Sequence, residues 1–357
     1  NYGASLQCLA LKKFIEKYDE NSKVKIINYA NKKIDYDYSL FRIDYTSLYT
    51  IIKSFLSSII FMNKNLHRRK IYGKYISQYF DCTKICKNIK DIEKITQSYN
   101  YIIAGSDQIW NNELTGGIDE IYYLNFKTKA KKIAYAASLG KNKMNDNREL
   151  YKKLLQNFDS ISVRESDGCD IVGGILNTNI KNVIDPTLLL QYDEWMEYIK
   201  SYKPVDEKYI FVYTPNNINN FNDIVNYASE KLNLNIVNFK KKDIGLKNVK
   251  KNLFCSDPND FLNYLYYSEI IVATSFHAVV FSIIFKKNFW VLSPKDNSSR
   301  VSTLLSRLGL EDRTIESLEE FKEKDIRERI DYECVNNKLN CLREDSKKWL
   351  LEQLEVE

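Results

Sequence analysis

Residues 269–285 read EIIVATSFHAVVFSIIF. Glu269 to Ala273 is a short, continuous apolar run rich in β-branched residues, the pattern of a strand buried on both faces. Thr274 and Ser275 then place two hydroxyls at a turn, and apolar residues continue from about His277 to Phe285 at helical length. A buried strand that turns directly into a buried helix is the unit from which parallel sheets are built. The first turn of such a helix offers unpaired N–H groups and the positive end of a dipole, both of which favour an anion. His277, one of only two histidines in the chain, stands at that turn. An imidazole there is a candidate acid–base group.

The same alternation extends in both directions. Downstream, Asn288 to Leu292 reads as a strand, followed by Ser293-Pro294-Lys295 and Ser298-Ser299-Arg300 and then a helix to Leu308. Lys295 and Arg300 therefore add positive charge beside His277. Upstream, Tyr209 to Tyr213 and Asn235 to Phe239 read as strands, Phe221 to Leu232 as a helix, and Asp257-Pro258 as the cap and first turn of a helix to Tyr267. A first set of strands falls at Val24 to Tyr29, Tyr101 to Ala104, Lys132 to Ala137, Ile161 to Val163 and Asn182 to Ile184. The break near Tyr192 to Asp206 divides these sets. The expectation is therefore an α/β protein of two Rossmann-like lobes, residues 1–203 and 204–357, facing across a cleft that receives a ligand at the carboxyl ends of the strands. Residues 31–98 break the alternation and read as a helical insertion in the first lobe, with a basic patch at His67-Arg68-Arg69-Lys70. That patch reads as a solvated face, or as an interfacial patch beside the amphipathic stretch Leu48 to Met62 and so a peripheral contact with a membrane surface.

Two constellations in the first lobe carry chemistry. The strand at 101–104 ends in Gly105-Ser106-Asp107-Gln108, followed by Ile109-Trp110-Asn111, which presents an acid, an amide and an indole. Asp107 suits a sugar hydroxyl or a cationic partner, and the competing reading is a helix cap by Ser106 or Asp107. The strand at 161–163 ends in Arg164-Glu165. A guanidinium can fork onto a carboxylate or phosphate, and the competing reading is an ion pair with Glu165 or a nearby acid. The amino-terminal turn through Gly3 leads into a helix over Gly3 to Tyr18, another candidate site for an anion or a sugar.

Composition narrows the classes. Of 357 residues, 44% are hydrophobic and 28% charged, which builds cores and excludes disorder. Net charge is +6, an excess that reads as mild and spread along the chain, unlike the concentrated face of a nucleic-acid binder. It suits anionic small molecules or anionic lipid. The seven cysteines form no CxxC and complete no zinc pattern with two histidines. Cys82 and Cys86, four apart, are placed on a helix, a weak metal signal, and the competing reading for them and the others is small buried residues of a reducing cytosol. No run is long and apolar enough to span a bilayer, so the chain reads as cytoplasmic or peripheral at the inner membrane face. There is no P-loop, GxGxxG, GxSxG or HExxH.

Seven blocks in order then resemble the polysaccharide pyruvyl transferase family: NYGASLQ at 1–7, AGSDQIWN at 104–111, AASLG at 136–140, SVRE at 162–165, IDPTLLL at 184–190, TSFH at 274–277 and SRV at 299–301. The resemblance implies a GT-B-like fold, no cofactor or metal, and pyruvyl transfer from phosphoenolpyruvate to a sugar of a cell-surface polysaccharide or its lipid-linked precursor. It implies His277 and Asp107 as catalytic residues, and Arg164, Arg300, Lys295, Ser275, Gly3 and Gln108 as substrate contacts. Many family members carry an arginine two residues before the motif histidine, where this chain has Ser275. Two other readings fit these residues: a GT-B glycosyltransferase that uses a nucleotide sugar, and a non-catalytic scaffold in polysaccharide assembly.

Overall fold

The structure, a computed structural model, describes residues 2–140, 143–215, 218–240, 245–292 and 299–356. Its contacts divide the chain into two compact units, one of residues 11–183 and 350–357, the other of residues 1–10 and 184–349. These are called the 11–183 and 184–349 units.

The 184–349 unit is built on six parallel strands: β5 (Tyr209–Tyr213), β6 (Asn235–Asn238), β7 (Val249–Asn252), β8 (Ile270–Ala273), β9 (Asn288–Leu292) and β10 (Thr314–Ile315). The other unit holds four parallel strands, β1 (Tyr101–Ala104), β2 (Lys131–Ala137), β3 (Ser160–Val163) and β4 (Lys181–Asn182), in chain order across the sheet. In the larger sheet the order is β10-β9-β8-β5-β6-β7. The chain winds outward from β5 to β7, returns to the other side of β5, and winds outward again from β8 to β10. The topological switch therefore lies between β5 and β8, which pair from Ile210–Ile270 to Tyr213–Ala273. Ligands of open α/β sheets bind beyond the carboxyl ends of the strands at such a switch.

Continuous apolar runs form these strands because both sheet faces are covered. Every residue of β5 and β8 is buried. Each apolar side chain so buried stabilises the fold by about 1.5–3 kcal/mol relative to exposure. The helix Phe276–Ile284 is buried all round, which accounts for its lack of a polar face.

Several expectations change. Val24 to Tyr29 forms no strand, only two single bridges, Ile26 with Cys82 and Tyr29 with Cys86. The Thr83 hydroxyl accepts the Asn28 N–H at 3.0 Å where a ladder would use a carbonyl. Cys82 and Cys86 thus lie in this bridged segment and not on a helix, and Cys86 is buried. The compact units part at Val183/Ile184 instead of at 203/204. The segment after Val183 packs against the larger sheet's helices: Trp195 meets Phe281 edge-on at 4.8 Å, and Lys200 N–H donates to Asn263 Oδ1 at 3.0 Å. The start of the first helix (Tyr2–Tyr18) also belongs there, with the Tyr2 ring stacked on Phe261 at 5.0 Å. Within residues 31–98 the helices are Lys32–Asp37, Leu48–Ile60, Met62–Tyr79 and Ile89–Thr96. Among the described residues no helix is long and apolar enough to cross a membrane.

Candidate active site

In the 184–349 unit the switch point is lined by hydroxyls. The Thr274 hydroxyl, just past β8, donates to the Thr214 hydroxyl, just past β5, at 3.0 Å. Ser275 is the N-cap residue of the helix Phe276–Ile284, half-buried and making no side-chain cap bond. His277 follows in the first turn and is buried, at 5% exposure. Its Nε2 faces Asp185 Oδ2 at 3.7 Å. That is an ion-pair distance for a protonated ring but longer than a hydrogen bond, and Nε2 has no hydrogen-bond partner among the described residues. Asp185 is held from its other oxygen, where Oδ1 accepts from the Thr187 N–H at 3.0 Å and the Thr187 hydroxyl at 2.6 Å. These bonds cap the 3₁₀ turn Pro186–Leu188 and fix the carboxylate.

Gly3 closes the imidazole from another direction. A Cβ placed on it would stand 2.0 Å from Nδ1 and 2.3 Å from Cγ of His277. Only a residue without a side chain lets the first helix approach the ring this closely. The sequence marks Gly3 as a candidate anion or sugar contact; its neighbour in the structure is the candidate acid–base group itself. Arg300 is the second residue of the helix Ser299–Leu308, half-buried, beyond β9. Because β9 pairs with β8, Arg300 and His277 belong to helices that follow adjacent strands. Lys295 lies outside the described residues.

The 11–183 unit holds a second cluster. Arg164, just past β3, is 4% exposed, and its Nη1 donates to Ser106 Oγ at 3.1 Å. Its Nη2 lies 4.0 Å from Asp107 Oδ1. Arg164 thus has an ion-pair contact with Asp107, a nearby acid, and buried Glu165 accepts a short hydrogen bond from the Ser138 hydroxyl. Neither Ser106 nor Asp107 caps a helix; Asn111 caps Asn112–Thr115. Asp107 has φ of 67°, a left-handed conformation uncommon for residues other than glycine and most tolerated by Asn and Asp. Its carbonyl accepts from Ser138 N–H at 3.1 Å, and Trp110 N–H donates to Ser138 O at 3.2 Å. The loops after β1 and β2 are thereby tied to one another. Gln108 Oε1 accepts from Asn111 Nδ2 at 2.9 Å. Trp110 presents no indole to a ligand: it is fully buried, stacked on Tyr123 at 5.4 Å, with Nε1 donating to Tyr122 O.

Sequence reading passed over Asp185, Ser106 and Ser138 as site residues. Each ends a strand or opens a turn inside a motif block, but their partners lie far away in the chain.

The model of the family described as polysaccharide pyruvyl transferase matches residues 1–297. The chain belongs to the polysaccharide pyruvyl transferase family. The family is one of transferases, and the matched region contains both clusters apart from Arg300. A comparison with curated protein sequences finds no match. Among solved structures, a UDP-GlcNAc 2-epimerase from Neisseria meningitidis bound to UDP-GlcNAc is similar over 100% of this chain and 98% of its own, with TM-score 0.50 and 11% identity. A Listeria monocytogenes protein assigned as UDP-N-acetylglucosamine 2-epimerase is similar over 96% of this chain and 88% of its own, with TM-score 0.55 and 10% identity. At such identities the likeness concerns the fold, which is GT-B-like. This pyruvyl transferase family member thus carries its motif histidine at the switch point of the larger sheet.

Proposed function

We propose that this chain transfers the pyruvyl group of phosphoenolpyruvate to a sugar of a cell-surface polysaccharide or its lipid-linked precursor, forming a cyclic ketal across two hydroxyls. The observation that carries the reading is the buried His277 imidazole facing the buried Asp185 carboxylate at 3.7 Å at a sheet switch point, in a chain of this family. The reaction needs an acid. One sugar hydroxyl adds to the central carbon of the donor as the methylene carbon takes a proton and becomes methyl. The second hydroxyl then displaces the phosphate, breaking the carbon–oxygen bond, and its proton leaves with the phosphate or a base. We assign the proton transfer to His277, with Asp185, 3.7 Å from Nε2, orienting the ring. Asp107 is assigned to the acceptor hydroxyl. The donor is a dianion or more at neutral pH, and Arg164, Arg300 and Lys295 are assigned to its carboxylate and phosphate. Ser275 stands where many family members have arginine, so Arg300, opening the helix after the neighbouring strand, takes the larger share. Gly3, Ser275 and Gln108 are assigned to shaping the substrate sites.

Calorimetric titration of phosphoenolpyruvate into the protein tests this, with UDP and GDP as controls. Saturable binding of phosphoenolpyruvate alone, weakened at least tenfold in Arg164→Ala and Arg300→Ala, is expected. Binding of a nucleotide in its place would overturn the donor assignment and favour a nucleotide-sugar enzyme.

A further inference from the structure

The helix Leu48–Ile60 is turned inside out. Its apolar residues Leu48, Ile52, Phe55, Leu56, Ile59 and Ile60 recur at helical spacing on one face, and all are exposed, Leu48 at 75% and Ile60 at 72%. Its hydroxyls face the protein instead. Ser54 Oγ accepts the Asp44 N–H at 2.9 Å, and buried Ser58 accepts the Arg42 N–H at 3.3 Å. The segment 42–44 thus covers the polar face and leaves the apolar one in water. Water-soluble surfaces rarely carry a contiguous apolar stripe of this kind unless something docks on it.

The charge around this face is equally one-sided. Of the chain's 53 basic residues, six lie between Tyr45 and Phe80, and none of its 47 acidic residues does. The remainder of the chain sums to zero, so this one segment carries a net charge equal to that of the whole chain. Arg69, Lys70 and Lys74 are exposed on the helix Met62–Tyr79, which packs on Leu48–Ile60. Lys53 lies over the ring of exposed Tyr49 at 5.4 Å, its ammonium carried on the apolar helix itself. Apolar side chains and Tyr49 on one helix, continued by a basic helix in a segment of six cations and no acid, match the chemistry of a bilayer interface containing anionic lipid.

We propose that Leu48–Ile60, with the basic helix that follows it, is a docking surface for an anionic membrane. A second copy of the chain fits less well, because a two-fold contact would set the same cations against themselves, and residues 45–80 hold no acid to pair them. The proposal is independent of the donor and of the chemistry at His277.

Co-sedimentation of the whole protein with vesicles tests it. Vesicles of phosphatidylcholine mixed with phosphatidylglycerol are expected to carry the protein down. Phosphatidylcholine alone should bind it about tenfold more weakly or less, and added NaCl should release it. Ile52→Glu/Ile59→Glu and, separately, Arg69→Glu/Lys70→Glu should each weaken binding at least tenfold. All four side chains are exposed, so an unchanged thermal melt verifies that the variants are folded. The proposal fails if the wild type stays in the supernatant with both vesicles, or if neither variant reduces binding. It also fails if light scattering shows self-association that the apolar variant abolishes while vesicles capture nothing; the face would then be an interface between copies.

Discussion

Gly3 has no room for a side chain, and the obstruction is the imidazole of His277. Gly3→Ala should improve helix propensity in the first turn of Tyr2–Tyr18, yet its Cβ would fall 2.0 Å from Nδ1. The ring must then rotate or the helix must shift. We expect turnover to fall at least about tenfold while the circular dichroism spectrum stays unchanged, because loss of position alone at a proton-transfer site costs this much or more. His277→Ala should reduce turnover by about 10²–10⁴, the usual contribution of a general acid. Asp185→Asn keeps an oxygen for the Thr187 cap but removes the charge facing Nε2. It should lower kcat more than it raises KM for the donor, as expected of a positioning residue. Turnover of His277→Ala equal to the wild type would remove the acid from the mechanism. His277 and Ser275 could be singled out from sequence because a strand, a hydroxyl turn and a histidine lie side by side there. The partner Asp185 could not, because no local pattern joins residue 185 to residue 277.

Helix caps show the same division at the scale of elements. Asp257 caps Pro258–Tyr266 by accepting the Asp260 N–H at 2.8 Å, and the Asp-Pro pair announces this in the sequence. What the sequence does not announce is that burial raises the Asp257 carboxyl above its ordinary value, the backbone bonds of Asp260 and Asn259 opposing it in part. A carboxyl raised on folding costs stability where it is ionised in both states, and that cost vanishes below the unfolded value. Asp257→Ala, which loses the cap, should destabilise by about 1 kcal/mol. Asp257→Asn, which keeps an acceptor without the charge, should melt at or above the wild-type temperature at neutral pH. The difference should close as pH falls through the carboxylate range. A melting temperature for the asparagine variant below that of the alanine variant would contradict this account. The cap matters to the site's surroundings because Phe261 of this helix stacks on Tyr2, next to Gly3.

For the whole molecule, the chain's two ends each join a unit distant in sequence. Leu350 and Leu354 are buried in the 11–183 unit, where the Tyr101 hydroxyl donates to Leu354 O at 2.8 Å and Lys131 Nζ donates to Gln353 O at 2.8 Å. Removing residues 350–357 should lower the melting temperature and speed amide exchange in β1 and β2, measured by hydrogen–deuterium exchange; unchanged exchange there would show these contacts to be dispensable. The sequence by itself determined the alternation of strands and helices, the helical character of residues 31–98, and the membership signalled by seven ordered blocks. These are legible because periodicity and turn chemistry act between residues close in the chain. Only the tertiary structure decided that Gly3 and Asp185 meet His277, that Arg164 pairs with Asp107, and that Trp110 is core. It also decided that Ser54 and Ser58 of Leu48–Ile60 face inward and that Leu48, Ile52, Leu56, Ile59 and Ile60 face outward. Helical spacing states which residues share a face, but which face is buried depends on what the rest of the chain brings to it.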